Sequence, residues 1–265
     1  MGDIPDNHPR RASLLARQSL VDAAAEGLLA DSAMIAHGRG EAFDYLLSET
    51  TSDSAIDAIR EVAARLLAAE HPVISVNGNT VVLAGEELIR VAAVVGCPIE
   101  VNLYYRTPER VSGLLDRLSE QRDVVAAEAS PKGWEGDWQE AVDSVVLFGN
   151  SAEHSIPGLN GPRAKCCREG IGQADVVLVP LEDGDRCEAL VAAGKQVLVV
   201  DLNPLSRTSM MATVTIVDEV SRASSKLLSE VVSGDCLPSQ WNNAAALNAA
   251  LGIISDASVD ALSGG

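Results

Sequence analysis

Lysine is scarce in this chain: only Lys132, Lys165, Lys195 and Lys226 occur, leaving 16 arginines among 20 basic residues. Against them stand 38 Asp and Glu residues, for a formal net charge of -18. A basic surface broad enough for general nucleic-acid binding is thereby excluded, since such binding rests on Lys and Arg neutralising phosphates. An acidic, lysine-poor surface points instead to a salt-rich, halophilic setting, where the Debye length falls to about 3 Å and carboxylate self-repulsion is screened. The five cysteines, Cys97, Cys166, Cys167, Cys187 and Cys236, are odd in number and contain no CxxC pair, which fits a reducing cytoplasm better than a disulfide framework. No apolar run approaches the roughly 20 residues that span a bilayer, and Met1-Gly2-Asp3-Ile4-Pro5-Asp6 lacks the apolar core of a signal peptide. A cytoplasmic protein with no membrane and no nucleic-acid partner is expected. Absent too are GxxxxGK followed by Ser or Thr, GxGxxG after the first strand, GxSxG and HExxH.

What is present is 265 residues, 47% hydrophobic and 22% charged, enough to bury a full core. From Ser13 to about Leu67 apolar residues recur at spacings of three and four, which predicts helix, turn, helix, helix, with Gly38-Arg39-Gly40 as a break between helices and Thr51-Ser52-Asp53 capping the third. After His71-Pro72 the pattern becomes short apolar runs alternating with helical stretches, the βαβ signature. It predicts strands at 73–76, 99–103, 144–148, 175–179, 196–200 and 213–217, with 124–127 as a competitor, and helices at 86–95, 108–120, 186–193 and 220–232. The fold class is α/β: a Rossmann-like parallel sheet with helices on both faces, preceded by a helical N-terminal region. One domain over 1–265 is expected, divided into a helical region 1–70, a core 71–233 and a C-terminal appendage 234–265. The segment Gly149 to Gly172 has no period and reads either as a lid or as a surface excursion.

Ligands of doubly wound sheets bind beyond the carboxyl ends of the strands. The residues falling there are Asn77-Gly78-Asn79, then Tyr104-Tyr105-Arg106, then Glu182-Asp183-Gly184-Asp185-Arg186, then Asp201-Leu202-Asn203. Each has a plain reading: a turn for Asn77-Gly78-Asn79, an N-cap for Asp185, an Asn-Pro turn after Asp201. Glu182, Asp183 and Asp185 resemble a divalent-metal loop or a solvated one, and no metal ligands are assigned. Arg39 and Arg17 offer guanidinium groups to a phosphate from outside the sheet, or serve as surface salt bridges.

Taken together, these blocks resemble the archaeal phosphopantothenate synthetase family, also called 4-phosphopantoate:β-alanine ligase. The resemblance runs through His8-Pro9-Arg10, Ser13-Leu14 and Arg17, the block from Ile35 to Leu47, the block from Pro72 to Asn79, Glu100 to Leu103 with Tyr105-Arg106-Thr107, Ala174 to Arg186, and Asp201 to Thr208. It implies an ATP-dependent ligase that joins 4-phosphopantoate to β-alanine through an acyl-adenylate, releasing AMP and pyrophosphate on the route to coenzyme A, with Mg2+ and as a homodimer. It assigns Arg17 and Arg39 to the ATP phosphates, and Asp183, Gly184, Asp185, Arg186, Asp201, Leu202 and Asn203 to the nucleoside. With strand-end position it makes Asn77, Asn79, Asn102 and Arg106 candidates for phosphopantoate and His37 a partner of the reacting phosphate. Asn7, Arg11, Tyr104 and Cys187 depart from the family pattern, and at Cys187, where the resemblance implies Thr, a hydroxyl contact to the nucleotide would be weakened or lost.

Overall fold

Val176–Pro180 and Gln196–Val200 are nearly continuous in valine and leucine, the composition of strands buried on both faces. The computed structural model describes residues 4–256 and places both strands inside a parallel sheet. The chain opens with helices α1 (Arg11–Ala25), α2 (Asp31–Leu46) and α3 (Asp53–Ala68). The first βαβ unit follows as β1 (Pro72–Val76), α4 (Gly78–Val95) and β2 (Ile99–Val101), and then come α5 (Pro108–Ala127), α6 (Trp138–Asp143) and β3 (Leu147–Phe148). A small ribbon, β4 (His154–Ser155) and β5 (Lys165–Cys166), precedes β6 (Val176–Pro180), α7 (Gly184–Ala192), β7 (Gln196–Val200), α8 (Arg207–Met211), β8 (Val214–Ile216), α9 (Val220–Ser233) and α10 (Asn243–Asp256).

The six sheet strands are all parallel in the order β3-β2-β1-β6-β7-β8, with Ile74 opposite both Ile99 and Leu178, and Leu178 opposite Leu198. Alternation along the strands feeds two cores. Val176, Leu178, Leu198 and Val200 face the cluster beneath α3, α4, α5 and α9, while Val177, Val179, Val197 and Val199 face the one beneath α7. Helix starts are capped as their sequences require: Ser52, Asn77, Thr107, Asp137, Asp183 and Ser206 each accept a main-chain amide three residues on.

Four expectations need correction. Residues 124–127 are the last turn of α5, not a strand. Asn77-Gly78-Asn79 is the start of α4, which begins eight residues before the apolar period shows it because the Asn77 cap and a kink at Ala84 extend it. Gly38-Arg39-Gly40 lies inside α2 rather than between helices, tertiary packing at both helix ends outweighing two glycines. The tail through Asp256 is docked, not appended: Asn243 accepts the Thr215 amide (2.8 Å) and donates to the Ser209 carbonyl (2.8 Å), and Leu247 and Ala250 pack on Leu47, Leu202 and Val217. Its final nine residues, 257–265, lie outside the described residues. The aperiodic stretch after Gly149 is also tied down. Buried Glu100 accepts the amides of Cys167 (2.9 Å) and Ile171 (2.8 Å), although burial raises its carboxyl above the ordinary range. Trp138 is buried too, donating to the Val125 carbonyl at 3.1 Å.

Candidate active site

Strand order reverses between β1 and β6, so the loops leaving these two neighbours diverge and open a crevice. Its floor is cross-linked. Asn77 donates to the Leu181 carbonyl (2.8 Å) while accepting the Thr80 amide (3.1 Å), and Thr80 donates to the Pro180 carbonyl (3.2 Å). Leu181 is held at φ 57°, a left-handed conformation that costs a leucine about 1 kcal/mol or more and clusters at functional sites. The N-termini of α4 and α7 open into the crevice, supplying the amide donors and positive dipole ends that anions prefer. Close approach is enforced by glycine: a Cβ at Gly78 would lie 2.6 Å from Leu29 Cδ2, and one at Gly184 would lie 2.6 Å from Arg207 Cβ.

The crevice is a cleft of about 1040 Å³ walled by α2, the strand ends and the start of α9. It brings together His37, Arg39, Asn77, Asn79, Asn102, Asp183, Gly184, Arg186, Asp201, Leu202 and Asn203 of the expected site residues. Arg17, Arg106 and Asp185 do not line it. Arg17 pairs with Glu41 on α2, and Arg106 donates to the Gly149 carbonyl with a second nitrogen buried and unpartnered among the described residues. Asp185 points to Arg163 and Arg207, so Asp183 rather than Asp185 caps α7. Arg186 is fully buried, donating to Ser75 (3.0 Å) and paired with Glu182; it braces the loop from beneath. Cys187 is buried in the core against Thr208 and does not line the cleft; burial pushes its thiol up to about 12.

The carboxylates that line the cleft are engaged. Asp44 takes Arg222, Asp183 takes Arg163 and the Arg186 amide, Glu182 takes Arg186, and Glu219 caps α9. Asp201 accepts the Asn203 amide (2.9 Å) and the Ser206 hydroxyl; burial raises its carboxyl, which those bonds and the nearby Arg39 oppose. Glu41 accepts Ser13, Arg10 and Arg17; burial would raise it, but the bonds from Arg17 and Ser13 prevail and hold it below the ordinary carboxylate range. Each lining arginine except Arg39 likewise has a hydrogen-bond partner among the described residues. Arg39 lines the cleft near Asp201, with no hydrogen-bond or ion-pair partner among the described residues. His37, two residues before it, is lowered by burial, and its Nε2 is buried without a partner among the described residues.

The amides show a pattern that the sequence hides. Asn77, Asn79 and Asn102 each give an N–H to a main-chain carbonyl, of Leu181, Ala33 and Lys165 respectively. They fix the loops around the cleft as well as facing it. Arg163, which clamps Asp183 (3.0 Å) and Asp185 (2.9 Å) and lies over the Tyr104 ring, was not legible because its segment has no period. Asp44 and Arg222 were missed as well, though Asp44 stands three residues before buried Leu47, on a stripe where an unpaired acid is rare. Among the described residues no group of three or more His, Cys, Asp or Glu could hold a metal ion.

The family model described as phosphopantothenate/pantothenate synthetase matches residues 54–246. A 4-phosphopantoate--beta-alanine ligase of Thermococcus kodakarensis is 45% identical over 223 residues, covering 84% of this chain and 78% of that protein. Proteins of the same name from Methanospirillum hungatei (44% over 220 residues, 83% of this chain and 81% of theirs) and Methanosarcina mazei (44% over 223 residues, 84% and 79%) are similar to the same degree.

Proposed function

Because the chain belongs to the phosphopantothenate/pantothenate synthetase family, we propose that its cleft condenses 4-phosphopantoate with β-alanine at the expense of ATP, in coenzyme A biosynthesis. The enzyme is a ligase. A carboxylate does not acylate an amine unaided, so its oxygen first attacks the α-phosphorus of ATP and pyrophosphate leaves. The β-alanine amine then attacks the acyl carbon, AMP departs with the carboxylate oxygen, and the amine loses a proton. No protein nucleophile is needed. What the protein supplies is proximity of two anionic reactants and donors aimed at the charge that develops between them.

The observation that carries this reading is Arg39: a guanidinium with no partner among the described residues, lining a crevice onto which two helix N-termini open and whose carboxylates are otherwise engaged. Arg39 holds the ATP phosphates, and Arg17 joins it by exchanging Glu41 for a phosphate oxygen. The Asp183–Arg186 loop and Asp201–Asn203 seat the nucleoside. Asn77, Asn79 and Asn102 form the phosphopantoate side, with His37 at the reacting phosphate; Arg106, outside the cleft in this structure, joins them only by releasing the Gly149 carbonyl. Mg2+, carried by the ATP phosphates, would neutralise part of their charge, with Asp183 or Asp201 at the cleft edge the carboxylates that could reach it. The whole chain acts as one catalytic unit, and a two-fold homodimer covers the exposed Leu15, Val21, Tyr45 and Leu46 of α1 and α2.

The test is product analysis with all three substrates. AMP and pyrophosphate in equal amounts, dependent on both carbon substrates, support the proposal. Stoichiometric ADP, or nucleotide binding with no turnover, would replace it with an ADP-forming enzyme or a nucleotide-sensing module.

A further inference from the structure

Helix α2 carries His37 and Arg39, yet its middle is thinly packed: Ile35 is 72% exposed, nothing lies within 4 Å of a Cβ built on Gly38, and one built on Gly40 would meet only Leu202, at 3.8 Å. Glu41 ties it to α1 through Arg10, Ser13 and Arg17, and packing on the cores holds it at its two ends. Near its start Ala33 and Met34 pack on the main core, and the Ala33 carbonyl takes the Asn79 amide at 3.0 Å. Near its end the one residue of the helix that is fully buried is an acid, Asp44, at 4% exposure. A buried carboxylate must be paired, and Asp44 is paired by a fork, accepting Arg222 Nη1 at 3.1 Å and Nη2 at 2.6 Å.

The same guanidinium also donates to Asp218, from Nε at 3.1 Å and Nη2 at 2.7 Å, and Asp218 in turn accepts Thr51 Oγ1 at 2.7 Å. One arginine on α9 therefore joins the last turn of α2 to the chain entering α3. Between these two points lie Ser48 and Glu49, both left-handed at φ 62° and φ 51°. Two successive non-glycine residues in that conformation persist only where the surroundings over-determine them. The Asp44–Arg222–Asp218 pairing, together with Glu49 donating its amide to the Asp44 carbonyl at 2.9 Å, provides that constraint.

Resting on the ligase reading above, we propose that Arg222 is a positioning residue for adenylation: clasped by Asp44 and Asp218, it fixes α2 over the cleft and acts through Arg39. Arg222 serves the first half-reaction without being required to touch a reacting atom. Only a planar fork meets both acids at once, so a lysine at this position keeps the charge and loses the clasp.

The experiment is a double-mutant cycle read by phosphopantoate-dependent exchange of labelled pyrophosphate into ATP, at a temperature where circular dichroism shows every variant folded. Asp44→Asn and Arg222→Lys should each lower exchange by about 10-fold, the low end for one lost charge-assisted hydrogen bond, and raise KM for ATP. KM for β-alanine should stay unchanged. In an Arg39→Ala background the same substitutions should change exchange by less than about 2-fold, because their route of action is gone. Full additivity, or wild-type exchange in both single variants, overturns the proposal. Amide hydrogen exchange of Asp44→Asn gives a readout independent of the reaction: protection should fall across 31–46 and persist in α3 and the sheet. Unchanged protection in α2 overturns the clasp, whereas loss of exchange in the wild type would refute the ligase reading instead.

Discussion

Arg39 concentrates the residue-scale account, since it is the lining guanidinium left without a partner among the described residues. Replacing it with Ala removes a charge-assisted hydrogen bond worth roughly 1.5 to 3 kcal/mol, which predicts a loss of about 10- to 150-fold in overall synthesis. Phosphopantoate-dependent pyrophosphate exchange should fall in step, with the circular dichroism spectrum unchanged. Exchange at the wild-type rate alongside collapsed synthesis would move Arg39 to the β-alanine step. This residue was legible because it sits in a recognisable block. Arg163, Asp44 and Arg222 were not, because a salt bridge joins residues far apart in the chain and leaves no periodicity in the sequence. The cap of α7 falls at Asp183 and not at Asp185 for a related reason: two acids flank Gly184, and only the backbone geometry decides which of them caps the helix.

At the scale of elements, five of the six strands were legible to within two residues at either end, because apolar runs bounded by polar turns have few other uses in a buried parallel sheet, whereas 144–148 is a strand only at Leu147–Phe148, its start being the end of α6. Helix α2 was misread at its centre. Glycine costs about 1 kcal/mol in a helix interior, so Gly38-Arg39-Gly40 looks like a break until packing at both ends is seen. Gly38 has ordinary helical backbone and open space where a Cβ would stand. Gly38→Ala should therefore stabilise the protein by about 0.5–1 kcal/mol, visible in calorimetry as a rise of roughly 1–4 °C in Tm. A lower Tm would show that this part of α2 must unwind. The contact of α1 with α2 has a pH signature. Glu41 lies below its unfolded value, so its contribution is complete above the ordinary carboxylate pKa of about 4.3 and disappears as pH falls through the lower folded value. Glu41→Gln should accordingly lose stability near neutral pH and show a shallower acid decline in Tm between about pH 5 and 3 than the wild type. Parallel declines would remove Glu41 from that transition.

At the scale of the whole molecule, charge and chemistry meet. A chain with 38 acidic and 20 basic residues repels itself at low ionic strength, while 19 ion pairs among the described residues neutralise part of that charge locally. Raising KCl from low to multimolar concentration should increase both Tm and activity, because screening relieves surface repulsion while the buried pairs at Asp44, Glu182 and Glu61 are shielded from salt. Greatest stability at low salt would contradict the halophilic reading. The cleft answers the same repulsion in miniature: its own acids are engaged, and two helix N-termini and Arg39 meet the incoming anions. Whether that arrangement makes an acyl-adenylate is decided most directly by omitting β-alanine. With ATP and Mg2+, labelled pyrophosphate should enter ATP only when 4-phosphopantoate is added, and unphosphorylated pantoate should support far less exchange. Exchange that ignores phosphopantoate, or no exchange from an enzyme that then forms product with ADP, would contradict the adenylation account.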